Sequence, residues 1–185
     1  MIINKIAADP EDEDIRRVEL ELWKKIRTMA RKGRRTGLGI TAEGDMLAAL
    51  GLRYGTPEAT AFAVKVQKTL ALEAYRASVK MAAERGAFEI FDARKEEKNP
   101  MIGRIREADP ELYAEMVKHG RRNIAMLTIA PTGTTSLMSQ TTSGIEPVFR
   151  PVYKRRRKIN PSDQDAKVAF VDDMGEKFEE YNVYH

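Results

Sequence analysis

The stretch that decides the reading runs from Arg121 to Phe149, RRNIAMLTIAPTGTTSLMSQTTSGIEPVF. Ile124 to Ala130 is apolar except for Thr128, a run that suits a strand buried on both faces, as in a parallel sheet. Pro131 has no N–H for a ladder and ends it. Thr132, Gly133, Thr134, Thr135 and Ser136 follow, four hydroxyls and a glycine, before Leu137 and Met138 resume an apolar pattern fit for a short helix. Strand, hydroxyl-rich turn and helix start together make a place to hold an anion. The first N–H groups of a helix lack intrahelical acceptors, and hydroxyls donate to phosphate oxygens. Gly133 lets a ligand approach the main chain. The GxxxxGK[ST] spacing of a Walker loop is missing, so by itself the turn reads equally as an ordinary Ser/Thr-rich strand-to-helix connection.

A second segment adds context. Arg34 to Gly39, RRTGLG, continues into Ile40 to Asp45, ITAEGD. Both segments, in this order, resemble the large catalytic subunit of ribonucleotide reductases in its adenosylcobalamin-dependent (class II) form. Gly144-Ile145-Glu146-Pro147 matches that family's GIEP segment. The resemblance extends from about Arg16 to at least Lys158, and it covers a minor part of the family's full subunit.

The resemblance implies an α/β fold, a helix-rich partial section of the family's ten-stranded barrel. Residues 1–185 would then be a single fragment of the catalytic barrel domain, with 121–149 as its substrate-phosphate segment. Pro131, Thr132, Gly133, Thr134, Thr135 and Ser136 would bind the phosphates of a ribonucleoside di- or triphosphate. The family reduces ribonucleotides by a radical route that uses cysteines, with the radical drawn from adenosylcobalamin in class II. This chain has no cysteine. No catalytic residue, no metal ligand and no residue for the cobalamin is therefore assigned here. The expected partner is the remainder of the catalytic subunit, and the isolated chain is expected to reduce nothing. A split subunit or a gene remnant would both fit.

Composition sets the outer bounds. Hydrophobic residues make up 42% and charged residues 32% of the 185, as in a water-soluble globular protein, and no run approaches the roughly 20 apolar residues that span a bilayer. Zero cysteines and two histidines exclude a disulfide framework and argue against zinc. A reducing, cytoplasmic setting follows as the expectation, with no membrane partner. Lys154 to Lys158, KRRRK, is the densest basic run. It supports an alternative of another class, a non-catalytic nucleotide- or polyanion-binding protein that uses this run and the PTGTTS turn. Nucleic acid is not the expected partner, because the run has only Tyr153 beside it and no second basic segment.

Elsewhere the punctuation is helical. Asp9-Pro10, Thr56-Pro57, Asn99-Pro100 and Asp109-Pro110 are cap-and-proline starts, and Gly33, Gly86 and Gly120 are stops. Ile15, Val18, Leu22, Ile26 and Met29 form one stripe of the first long helix, with Trp23 beside it in a packing role. Asp45 is expected to cap a short helix. The helix from Pro57 to about Arg85 carries two apolar faces. Ala87 to Ala93 reads as a half-buried strand, Arg94 to Lys98 as a solvated loop, and Val152 to Ile159 as a strand. His119 and Glu146 are given structural rather than catalytic roles.

Overall fold

The computed structural model describes residues 1–160, 162–163 and 165–184. Pro161 and Gln164, in the turn expected at 160–164, and the terminal His185 lie outside the described residues. The chain forms two compact units, residues 1–40 with 55–131 and residues 41–54 with 132–185. No helix among the described residues is long and apolar enough to cross a membrane.

The first unit is helical. It contains α1 (Ile2–Ala7), α2 (Glu13–Gly33), α4 (Pro57–Arg85), α5 (Pro100–Ala108) and α6 (Pro110–His119). The proline-marked starts at 57, 100 and 110 are present as read. Thr56, Asn99 and Asp109 each accept a backbone N–H of the first turn, from Ala59, Met101 and Leu112. The start at Asp9 lies further along: the Asp9 carboxylate takes the amide of Glu11, while Asp12 caps α2 through the amide of Asp14. Helix α2 ends at Gly33, as expected, but the left-handed closing residue is Arg34.

The core of this unit is Tyr75, Val79, Ile102, Ile105, Leu112, Met116 and Met126. Burying aliphatic side chains of this size contributes about 1.5–3 kcal/mol each. Of the two apolar faces of α4, only the one carrying Tyr75, Val79 and Ala82 is buried, while Leu70 is half-buried. The apolar stripe of α2 lies outside this core, and α2 contributes no buried residue.

Two expected strands are corrected. Ala87 to Ala93 forms a turn leading into a short 3-10 segment, Ala93–Glu96. Phe88 and Phe91 pack edge to face at 5.5 Å, and the Phe91 amide donates to the Phe88 carbonyl. Ring spacing of three, not alternation, is the working pattern, and Ile90 stays exposed. The solvated loop expected at 94–98 holds Glu96, which pairs with Arg121.

Ile124 to Ala130 is the second correction. It is extended, but it makes one isolated parallel bridge, Leu38 to Leu127, rather than a strand within a sheet. Thr36, Leu38 and Thr128 exchange backbone bonds across this pair, at 2.9 Å to Ala125 O, 2.6 Å to Met126 O and 2.9 Å to Leu38 O. With a single neighbour among the described residues, only the first half is covered. Met126 is buried and Ile129 is 50% exposed.

Arg121 anchors the beginning of that segment. Its guanidinium pairs with both Glu96 oxygens, donates to the carbonyls of Asn123 and Ile124, and lies over the rings of Tyr75, Phe88 and Phe91. Burial pushes the Tyr75 hydroxyl's pKa upward, against the lowering effect of Arg121.

The second unit holds α3 (Glu43–Ala49), α7 (Gly133–Ser139) and a three-stranded antiparallel sheet. Strands β1 (Val152–Lys158), β2 (Phe170–Val171) and β3 (Lys177–Tyr184) are ordered β1-β3-β2, with Val152 opposite Tyr184 and Lys158 opposite Phe178. The strand expected at 152–159 is present. The ten-stranded barrel is not present in this sheet, which is open and antiparallel. Asp45 lies inside α3 rather than capping it; the capping position is Ala42, in the left-handed region.

Candidate functional site

The PTGTTS turn begins where the two compact units divide, between Pro131 and Thr132. Thr132 takes a left-handed backbone (φ 53, ψ 28), and the seven-residue helix α7 starts at Gly133. The hydroxyls of the turn fall into two groups. Those of Thr132 and Ser136 are engaged inward. Thr132 Oγ1 receives the Gly144 amide at 2.7 Å and shares a proton with Thr41 Oγ1 at 2.9 Å. Ser136 Oγ donates to the Gly133 carbonyl at 2.9 Å and meets Ser143 Oγ at 3.0 Å.

Gly133, Thr134 and Thr135 are exposed. Their amides are the first three of α7 and have no acceptor within the helix. Neither threonine hydroxyl meets a protein partner among the described residues. A Cβ added at Gly133 would meet no atom within 4 Å, so the space over the turn is open. No lysine or arginine occurs from Asn123 to Phe149, and Glu146 is the only charged residue there. The free donors of the turn are therefore neutral amides and hydroxyls.

The turn is braced from a segment about ninety residues away. Thr41 Oγ1 donates to the Thr142 carbonyl at 3.2 Å and also accepts from the Gly144 amide. Asp45 and Thr142 clasp each other: the Thr142 amide donates to Asp45 Oδ2 at 2.9 Å and the Asp45 amide to Thr142 Oγ1 at 3.2 Å. Gly44 fits where a side chain could not, since a Cβ there would lie 2.6 Å from the Glu146 carbonyl. Tyr54 Oη donates to the Ile145 carbonyl at 2.9 Å. These contacts fix the GIEP segment through its backbone, leaving the Glu146 side chain outside the clasp.

Sequence reading singled out the six turn residues but missed Thr41, Asp45 and Thr142 as their supports. The ITAEGD and QTTSG segments carry the right side chains, yet nothing local says that they meet. A cleft of about 350 Å³ lies beside α3, lined by Asp45, Ala48, Leu52, Tyr54 and Pro147 among others. The turn residues are not part of its wall.

The basic run has a different environment. On β1, Lys154 and Arg156 pair with Glu180, Arg157 with Glu179 and Asp163, and Lys158 with Glu176. Arg156 also lies over the Phe170 ring at 4.7 Å. The bond from Arg156 holds the Glu180 carboxyl below its ordinary pKa, and the bond to Glu179 raises that of Arg157. Only Arg155 lacks a carboxylate partner among the described residues.

Two glycine-bearing segments are thus clasped around a hydroxyl turn. The chain belongs to the ribonucleotide reductase family: a family model described as ribonucleotide reductase, barrel domain, matches residues 15–177. The vitamin B12-dependent ribonucleoside-diphosphate reductase of Mycobacterium tuberculosis (strain CDC 1551 / Oshkosh) is 36% identical over 127 residues, 68% of this chain and 16% of that protein. The Thermoplasma acidophilum protein of the same name is 33% identical over 142 residues, 77% of this chain and 16% of its own length. The ribonucleoside-diphosphate reductase subunit alpha of Treponema pallidum is 30% identical over 134 residues, 68% of this chain and 15% of that subunit. The family is one of oxidoreductases, and two of these three relatives are named vitamin B12-dependent. The chain thus spans only about a sixth of the length of these relatives.

Proposed function

We propose that this chain supplies the substrate-phosphate segment of a ribonucleotide reductase. In this reading Pro131, Thr132, Gly133, Thr134, Thr135 and Ser136 hold the phosphates of a ribonucleoside diphosphate, the substrate class named by the relatives. The observation that carries it is the division of labour within the turn. Thr132 and Ser136 bind inward and set the shape, while the amides of Gly133 to Thr135 and two threonine hydroxyls face outward without partners. The role is positioning, which converts a chance encounter with the reacting groups into a fixed one.

The radical half of the reaction does not fit this chain. It has no cysteine. The cysteines and the cofactor site would come from the remainder of a catalytic subunit, acting in the cytoplasm. Exposed surface supports such a partner. Two separate compact chains of the size of these units, about 117 and 68 residues, would together expose about 10,700 Å². This chain exposes 13827 Å².

The polyanion-binding alternative is not favoured, because four of the five basic side chains it relies on already pair with Glu180, Glu179, Asp163 and Glu176. Calorimetric titration of nucleoside diphosphates into the chain separates the two readings. Gly133→Val fills the open space over the turn without striking protein atoms, and it should weaken binding at least tenfold. Neutralising Lys154 to Lys158 should leave binding within about twofold. The reverse pattern would overturn the assignment. Supplied with cobalamin and a dithiol, the chain alone should give no deoxyribonucleotide.

A further inference from the structure

The two inward hydroxyls of the turn are not alike. Ser136 is 5% exposed and donates to the Gly133 carbonyl at 2.9 Å, an acceptor that cannot return the bond. Thr132 is only half-buried. Among the described residues its proton has one acceptor, Thr41 Oγ1 at 2.9 Å, while its oxygen takes the Gly144 amide at 2.7 Å.

A bond between two hydroxyls can run either way, because each has one proton and two acceptor lone pairs. In one direction Thr132 donates to Thr41, and Thr41 donates to the Thr142 carbonyl at 3.2 Å. Both protons then point into the protein. In the other direction Thr41 donates to Thr132, and the Thr132 proton is free to point out. The reversal strands no carbonyl, since the Thr142 oxygen also accepts the Ala42 amide at 3.2 Å. It gives up the long bond and keeps the shorter one. Each proton stays on its own oxygen, and only the torsions of two hydroxyls change. An ionised phosphate oxygen accepts and has no proton to give, so its arrival at the turn selects the second direction. There Thr132 accepts from both Gly144 and Thr41, which polarises it into a better donor.

We propose that Thr41 is a positioning residue for the phosphate ligand and acts through Thr132. By swinging its own proton from the Thr142 carbonyl to Thr132 Oγ1, it aims the Thr132 proton at a phosphate oxygen. This inference rests on the phosphate-binding reading of the turn and adds a residue outside it, from the ITAEGD segment.

Calorimetric titration with a nucleoside diphosphate tests it. Thr41→Val keeps the shape and leaves neither neighbour unpaired, because the Gly144 amide keeps Thr132 and the Thr142 carbonyl keeps the Ala42 amide. At pH 7.5 its affinity should fall about fivefold, the worth of one ordinary hydrogen bond. Thr41→Ser, which restores the hydroxyl, should bind within about twofold of wild type. The pH profile separates aiming from mere bracing. Below the second phosphate pKa, about 6, the ligand carries a proton of its own and can donate to the Thr132 oxygen. The Thr41→Val deficit should therefore shrink to within about twofold at pH 5, whereas a lost brace costs the same at both values. The carboxyls near this network, Glu43, Asp45 and Glu146, act on both chains alike, and the ratio of wild type to variant cancels them. A Thr41→Val chain that binds as wild type at pH 7.5 would overturn the proposal. So would a deficit unchanged at pH 5, or a Thr41→Ser chain as weak as Thr41→Val. Gly133→Val keeps the two failures apart. If it binds as tightly as wild type, the phosphate reading falls and this inference with it. If it binds weakly while Thr41→Val does not, only the role of Thr41 falls.

Discussion

The Pro131–Ser136 turn and the Lys154–Lys158 strand make opposite use of polar side chains. The strand carries five positive charges in a row, and four of them already have a carboxylate partner. The turn carries no charge, yet three amides and two hydroxyls stand without partners. What counts for anion binding is the donor capacity left after folding, not the density of charge along the chain. The strand's side chains serve a sheet whose edge would otherwise invite pairing, a task that lysine and arginine perform well.

The sharpest way to break this contrast is at Thr132. Thr132→Val keeps the shape but removes the nearer acceptor of the Gly144 amide, leaving it the 3.2 Å bond to Thr41 Oγ1. Losing one hydrogen bond of this kind costs about 0.5–1.5 kcal/mol. The expected result is a lower midpoint in denaturant unfolding together with weaker nucleotide binding, whereas Thr132→Ser should retain both. Unchanged binding in the valine variant would mean that the inward bonds do not shape the outward donors.

A smaller effect is expected on the strand. Changing Glu179 and Glu180 together to glutamine frees Lys154 and Arg156 and leaves Arg157 only Asp163, so retention on a heparin column should rise a few-fold while nucleoside diphosphate binding stays constant. If retention does not change, pairing is not what silences the run.

The smallest effect is one of pH. Bonding to Arg156 lowers the folded pKa of Glu180 below its unfolded value. Such a group stabilises the fold above its unfolded pKa, near 4.3, and that contribution fades as pH falls through the lower, folded value. Amide protection in β1 and β3, referred to intrinsic exchange at each pH, should therefore fall below about pH 4, less so in Glu180→Gln. The uncharged turn should show no step of its own there.

Much of the helical framework was legible because its signals are local. Thr56-Pro57, Asn99-Pro100 and Asp109-Pro110 each combine an acceptor side chain with a preset φ, and each starts a helix where expected. The strands were harder because pairing is settled at a distance. Ala87 to Ala93 alternates only loosely, and the edge-to-face packing of Phe88 against Phe91 wins over any ladder. The run from Ile124 to Ala130 looked like a fully buried strand, but a strand is completed by its neighbours, and here it has one. The turn itself was readable from composition. Its supports, Thr41, Asp45 and Thr142, were not, because a hydrogen bond across about a hundred residues leaves no mark on either segment alone.

Gly39 shows how two distant stretches can find a unique alignment. An added Cβ there would overlap the carbonyl of Thr128, and one at Gly37 would press on that threonine's methyl group at 2.9 Å. Leu38 stands between them, so sliding either chain by one residue would drive an isobutyl group into backbone. The alignment of the RRTGLG and IAMLT stretches is thus keyed by absent atoms. A tooth-and-notch fit of this kind can be spoiled by gaining a methyl group as readily as by losing a contact.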